Sequence, residues 1–146
     1  MGRLLEELHP AVIKAAVTAV QILRDKKIPF VVTSTRRTAE EQAAYYAQGR
    51  RTLESVNLLR DKAKMPRITA AENGYVVTNC DGVKVKSRHQ GGKAIDVVPA
   101  NERGNPVWPP KDDKRWCEIA AVMKACGFEW GGEWVQFPDL PHYEMA

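Results

Sequence analysis

Two histidines and one aspartate, His89, Asp96 and His142, are the side chains of this sequence best suited to hold a divalent metal. Two imidazoles and a carboxylate with a fourth position open form a known catalytic zinc arrangement. Such a site lowers the pKa of a water molecule to about 7 and polarises a carbonyl, which is what amide hydrolysis needs. Taken alone, His89 reads more readily as a hydrogen-bonded core histidine. Asp96 could pair with an Arg or Lys, since an inward carboxylate is costly unless matched. A metal accounts for both together. His142 follows Pro138-Asp-Leu-Pro141, a rigid turn that fixes where its imidazole points.

Hydrolysis also asks for a general base, and two carboxylates compete for the role. Asp139 lies three residues before His142 and Glu144 two residues after it. An i to i+3 pair shares a side in a turn and an i to i+2 pair shares a face on a strand, so spacing does not choose. Ser87 has no histidine base placed for it by the sequence and reads as a hydrogen-bonding support. His9, beside Pro10, reads as the start of a helix and not as a ligand.

These residues need elements to carry them. Residues 83–89 alternate strictly, which predicts a strand with Val83, Val85, Ser87 and His89 inward and Lys84, Lys86 and Arg88 outward. Tyr75 to Thr78 would pair with it across the Asp81-Gly82 turn. Gly91-Gly92 permits a reversal, and a strand over Ala94 to Val98, ended by Pro99, sets Ala94, Asp96 and Val98 on one face. Upstream, apolar spacing predicts a helix over Pro10 to Lys26, and Pro29 to Ser34 reads as a buried strand. Thr38 and Glu41 form a capping-box signature for a helix from Ala39 to Gln48, stopped at Gly49. A helix over Leu53 to Ala63 follows, then a breaker at Pro66 and a turn at Asn73-Gly74. Downstream, Asp112 or Asp113 caps a helix containing Trp116, Ile119, Ala120 and Met123 that ends near Gly127, and Tyr143 to Met145 reads as a last strand. The mixed order predicts an α+β fold, a small antiparallel sheet with helices packed on it and the metal in a cleft on the sheet.

The chain has 146 residues, enough for one domain with its own core, and is 44% hydrophobic and 27% charged, as globular proteins are. Its 22 Lys and Arg against 18 Asp and Glu give a net charge of +4, which favours anionic surroundings without naming them. No long basic run and no basic stretch interleaved with aromatics is present, so nucleic acid is not an expected partner. Met1 to Leu8 lacks the apolar run of a signal peptide or a membrane span, which predicts cytoplasmic synthesis without a signal peptide and no membrane insertion. Cys80, Cys117 and Cys126 cannot all pair and have no C-x-x-C spacing, so they read as structural thiols.

Ser87-Arg-His89-Gln-Gly-Gly92-Lys-Ala94-Ile-Asp96 resembles the S-x-H-x-x-G-x-A-x-D motif of the zinc D-alanyl-D-alanine carboxypeptidase and L-alanyl-D-glutamate endopeptidase family, which includes many phage endolysins. Trp130-Gly-Gly-Glu-Trp134 and Asp139-Leu-Pro-His142-Tyr-Glu144 resemble its W-G-G-x-W and D-x-P-H-F-E elements. Arg37-Thr-Ala-Glu-Glu-Gln42 with Gln48-Gly49 is similar to its R-x-x-x-E-Q and Q-G helix, and Leu8-His-Pro10 to its opening. The resemblance implies zinc on His89, Asp96 and His142, an acid/base at Asp139, and a supporting role for Glu144. It implies that Arg37 stabilises an oxyanion or holds a substrate carboxylate, against a surface ion pair, with Arg36 as the local rival. Trp130 and Trp134 would line the cleft or pack the core.

The implied activity is hydrolysis of peptidoglycan stem peptides by an L-alanyl-D-glutamate endopeptidase, acting as a monomeric phage endolysin that reaches the wall after membrane permeabilisation. The alternatives are D-alanyl-D-alanine carboxypeptidase action and a non-catalytic, zinc-bearing wall-binding module. Residues 1–146 would be one catalytic domain without a separate wall-binding domain. Residues 50–74 are longer than the family's link and could form a lid or a substrate-selecting wall. The Lys84, Lys86 and Arg88 stripe would add weak attraction to an anionic wall.

Overall fold

The computed structural model describes residues 4–145, so Met1, Gly2 and Arg3 of the N-terminal stretch read above lie outside it, as does Ala146. Four α-helices, α1 (Pro10–Asp25), α2 (Ala39–Ala47), α3 (Leu53–Lys62) and α4 (Lys114–Ala125), accompany four strands. The strands are β1 (Phe30–Ser34), β2 (Ala94–Pro99), β3 (Glu129–Trp130) and β4 (His142–Glu144). The fold is α+β, as the element order predicts. Among the described residues no helix is long and apolar enough to cross a membrane. Contacts divide the chain into two compact units, one formed by Arg37–Gln90 and the other by the chain before and after it.

The flanking unit holds the sheet, ordered β1-β2-β4-β3 and antiparallel throughout. Strand β2 is rich in β-branched residues and has a neighbour on each side, so all of it except Asp96 is buried. The core joins Val12, Ala16, Ala19 and Leu23 of α1 to Ile95 and Val97 of β2, Ile119 and Met123 of α4, and Tyr143 of β4. Each Val, Leu, Ile and Met among them contributes about 1.5–3 kcal/mol by leaving water. Helix α1 starts as expected, with Pro10 in its first turn and the His9 ring accepting the Ala11 N–H at 3.1 Å. Asp113, not Asp112, caps α4 by accepting the Arg115 N–H. Strand β3 has only two residues, too few to leave a periodic signal, and the last strand begins at His142, one residue earlier than expected.

In the Arg37–Gln90 unit the capping box of α2 is complete: Thr38 Oγ1 accepts the Glu41 N–H at 3.1 Å and Glu41 Oε1 accepts the Thr38 N–H at 2.9 Å. Residues 50–74 are a packed helix and return, with Ala47, Val56 and Ile68 as a small core. Asn57 bonds the Ile68 backbone at both N and O, and Arg60 Nε donates to the Pro66 carbonyl. The hairpin expected over residues 75–89 is not formed. The Asp81 carboxylate instead accepts the N–H groups of Val83, Lys84 and Val85 at 2.9–3.0 Å, and Gly82 N donates to Val85 O. Those donors are thereby withdrawn from any ladder. Val83 and Val85 are exposed with Lys84 and Lys86, so the inward and outward stripes do not exist.

Candidate active site

The register of β2 against β4 sets Asp96 directly opposite His142. The His142 Nδ1 lies 3.4 Å from Asp96 Oδ1, and Nε2 lies 2.8 Å from Glu144 Oε1. Burial disfavours a charged imidazole here, but hydrogen bonds to Asp96 and Glu144 outweigh it and raise the His142 pKa to about 9. With the Nε2 hydrogen directed at Glu144, the Nδ1 lone pair faces the Asp96 carboxylate. Two acceptors that close need a cation between them, a proton or a metal.

His89 completes the set. One ligand atom from each of His89, Asp96 and His142 lies within 4.8 Å of the other two. Two imidazoles and a carboxylate are ligand types that zinc takes, so the donor chemistry fits that ion. His89 is buried although it is not on a strand. It sits on a short 3-10 turn, Arg88–Gly91, where its N–H donates to Ser87 Oγ at 3.2 Å. Gln90 secures the turn: Oε1 accepts the Ser87 N–H at 2.9 Å and Nε2 donates to Gly82 O at 3.1 Å. Ser87 is thus a support, as its lack of a base predicts. Gly92 then leads into β2 with φ +73, and a Cβ there would lie 2.7 Å from the backbone N of His9.

The two rival carboxylates occupy different places. Glu144 is bound to His142 Nε2, whereas Asp139 lies on the preceding turn, half-buried, with its N–H donating to Gly131 O at 2.9 Å and its carbonyl accepting the His142 N–H at 3.2 Å. A Cβ on Gly131 would come within 2.6 Å of the Asp139 carbonyl, which is why the chain has glycine there. The two tryptophans also part. Trp130 stacks on Tyr143 and donates Nε1–H to the Leu140 carbonyl at 2.7 Å, a packing role. Trp134 is exposed, with its ring centroid 5.1 Å from that of His142.

Arg36 is exposed and Arg37 is half-buried. The Arg37 N–H donates to the His89 carbonyl at 2.9 Å, its Nη1 donates to Gln42 Oε1 at 3.2 Å, and its guanidinium lies 4.6 Å from the Tyr45 ring centroid. The sequence assigns no role to Tyr45 or Gln90, and Gln42 enters it only as the last residue of the R-x-x-x-E-Q element, three residues before an aromatic.

Comparison with known proteins places the chain among the peptidases of peptidoglycan, which are hydrolases. Residues 81–145 match the family model described as D-alanyl-D-alanine carboxypeptidase, and the likeness of the whole chain to a bacterial relative shows that it belongs to that family. It is 31% identical over 145 residues to the peptidoglycan L-alanyl-D-glutamate endopeptidase CwlK of Bacillus subtilis, covering 95% of this chain and 74% of that protein. It is 38% identical over 62 residues to the L-alanyl-D-glutamate peptidase of Listeria phage A118, covering 42% of this chain and 21% of that one. The fold is shared with the L-Ala D-Glu endopeptidase ChiX of Serratia marcescens at a TM-score of 0.55 and 23% identity, over 97% of this chain and 83% of that one. It is also shared with the vancomycin resistance D,D-pentapeptidase VanY, solved in complex with Zn(II), at a TM-score of 0.57 and 16% identity, over 94% and 71%.

Proposed function

We propose that the chain is a zinc peptidase that cuts the L-alanyl-D-glutamate bond of peptidoglycan stems, with His89, Asp96 and His142 as metal ligands. The observation that carries this reading is the convergence of those three donors, two of them a cross-strand pair facing each other. Zinc held there would supply an activated water and polarise the scissile carbonyl. Glu144 orients His142 by taking its Nε2–H, so that Nδ1 is the donor nitrogen. That commitment leaves Asp139 as the carboxylate that accepts the proton of the attacking water and returns it to the leaving amine. Arg37 offers a permanently charged fork of donors to the carbonyl oxygen as it gains charge, or to a substrate carboxylate.

The names of the bacterial and phage relatives favour the endopeptidase over the carboxypeptidase, and the phage relative favours a lytic role in which the monomer meets the wall after the membrane is breached. Digestion of purified peptidoglycan followed by mass spectrometry tests the bond. New N-terminal D-glutamate on released stems is the expected product. Loss of terminal D-alanine alone would assign carboxypeptidase action instead.

A further inference from the structure

We propose that Gln42 is a positioning residue that locks the Arg37 guanidinium, with Tyr45 on the same helix as the second jaw; the inference rests on the role proposed for Arg37. Gln42 is fully buried on α2, an uncommon place for an uncharged polar side chain unless every polar atom is used. Its Nε2 donates to the Cys80 carbonyl at 2.8 Å and to Thr78 Oγ1 at 3.3 Å, and its Oε1 accepts from Arg37 Nη1 at 3.2 Å. The amide cannot be reversed. Turned over, it would set its oxygen against the Cys80 carbonyl and its NH2 against the guanidinium, so the 78–80 loop dictates that an acceptor faces Arg37.

That loop is itself held from its other side. Arg50 Nη1 donates to the Thr78 carbonyl at 2.8 Å and Nη2 to Asn79 Oδ1 at 3.2 Å. Tyr45, three residues after Gln42 and therefore on the same face of α2, lies against the guanidinium with the ring centroid at 4.6 Å. One contact is a hydrogen bond to a guanidinium nitrogen and the other is made through the ring. The backbone of Arg37 is fixed as well, by its hydrogen bond to the His89 carbonyl. A long, rotamer-rich cation is thereby preorganised by an uncharged partner. A carboxylate in place of Gln42 would form an ion pair with the guanidinium and draw down the charge that the reaction uses.

The test is a double-mutant cycle read as kcat/KM on a soluble murein peptide stem, with zinc content and Tm measured alongside. Gln42→Met should lose between about tenfold and a hundredfold, the size expected for one hydrogen bond to a charged group. Arg37→Ala should lose at least as much, and adding Gln42→Met to Arg37→Ala should change activity by no more than about twofold, because the two act through one group. Losses that multiply, or a Gln42→Met enzyme with full activity, would overturn the proposal. Should Gln42→Met fail to fold, Tyr45→Leu takes its place in the same cycle with the same expectation. A wild-type chain that leaves the stem uncut would defeat the functional reading itself. A cutting enzyme that needs Arg37 but shows independent losses would defeat only this inference.

Discussion

In the sheet, Asp96 faces His142 because β2 and β4 pair in one antiparallel register, and slipping that register by one residue would put the two side chains on opposite faces. In the Arg37–Gln90 unit, His89 and Arg37 are held without a ladder. Side chains do the work there: Ser87 and Gln90 on the His89 turn, Asp81 on the loop before it, and Gln42 on Arg37. Backbone pairing is cooperative and backed by a packed core, whereas side-chain bonds can be deleted singly. Apart from the three proposed ligands themselves, substitutions in the sheet should therefore act through metal affinity and folding, and substitutions in the other unit through local order and rate.

The largest expected effect is on the turn ahead of β4. Asp139→Ala should lower kcat by roughly 10²–10⁴-fold, the range for a lost general acid/base, while zinc content stays at the wild-type level. Equal activity would remove Asp139 from the mechanism. Next, Glu144→Gln should weaken zinc binding by about 10–100-fold, as loss of a carboxylate behind a ligating imidazole does, measured by competition with a chromophoric chelator. An unchanged affinity would make Glu144 a bystander.

The pH dependence of the metal-free chain follows from His142. Its pKa rises on folding from 6.5 to about 9, so the stability its imidazolium contributes is full below pH 6.5 and is lost as the pH rises through about 9. Zinc must displace that proton, so its apparent affinity should climb by about tenfold per pH unit up to about 9 from this group alone. Zinc titrations across that range check it, and a flat profile would contradict the pairing drawn for His142. The smallest effect should come from Asp81→Ala, which frees the amides of Val83, Lys84 and Val85. Their hydrogen exchange should quicken while that of the β2 amides stays unchanged; simultaneous quickening of both would mean that the two regions do not differ as described.

Much of this was legible in the sequence, and the exceptions have causes. The α2 capping box, the Pro10 start of α1 and the β2 strand were readable because each is set by residues within a turn of one another. The expected 75–89 hairpin is absent because strict alternation describes side-chain order only, and a single carboxylate at Asp81 takes three of the donors the ladder needs. His89 is buried all the same, delivered by a 3-10 turn that has no periodic signature. Ala94, Asp96 and Val98 do fall in one strand as expected, but burial does not alternate along it, because β2 has a neighbour on each side. Spacing does not choose between Asp139 and Glu144; the proposal of Asp139 rests on the hydrogen bond that engages Glu144 with His142 Nε2, a contact fixed only by the folded chain. Gln42 was legible only as the last residue of the R-x-x-x-E-Q element; its hold on the 78–80 loop was not, because Thr78 and Cys80 lie 36 and 38 residues away.

The central claim is tested most directly by counting zinc. Purified chain reconstituted and dialysed should carry one zinc, measured by mass spectrometry of the metal, and His89→Ala, Asp96→Ala and His142→Ala should each lose it together with wall hydrolysis while keeping the fold by circular dichroism. Hydrolysis that persists at full rate in any of the three, or in wild-type chain free of metal, would contradict the account.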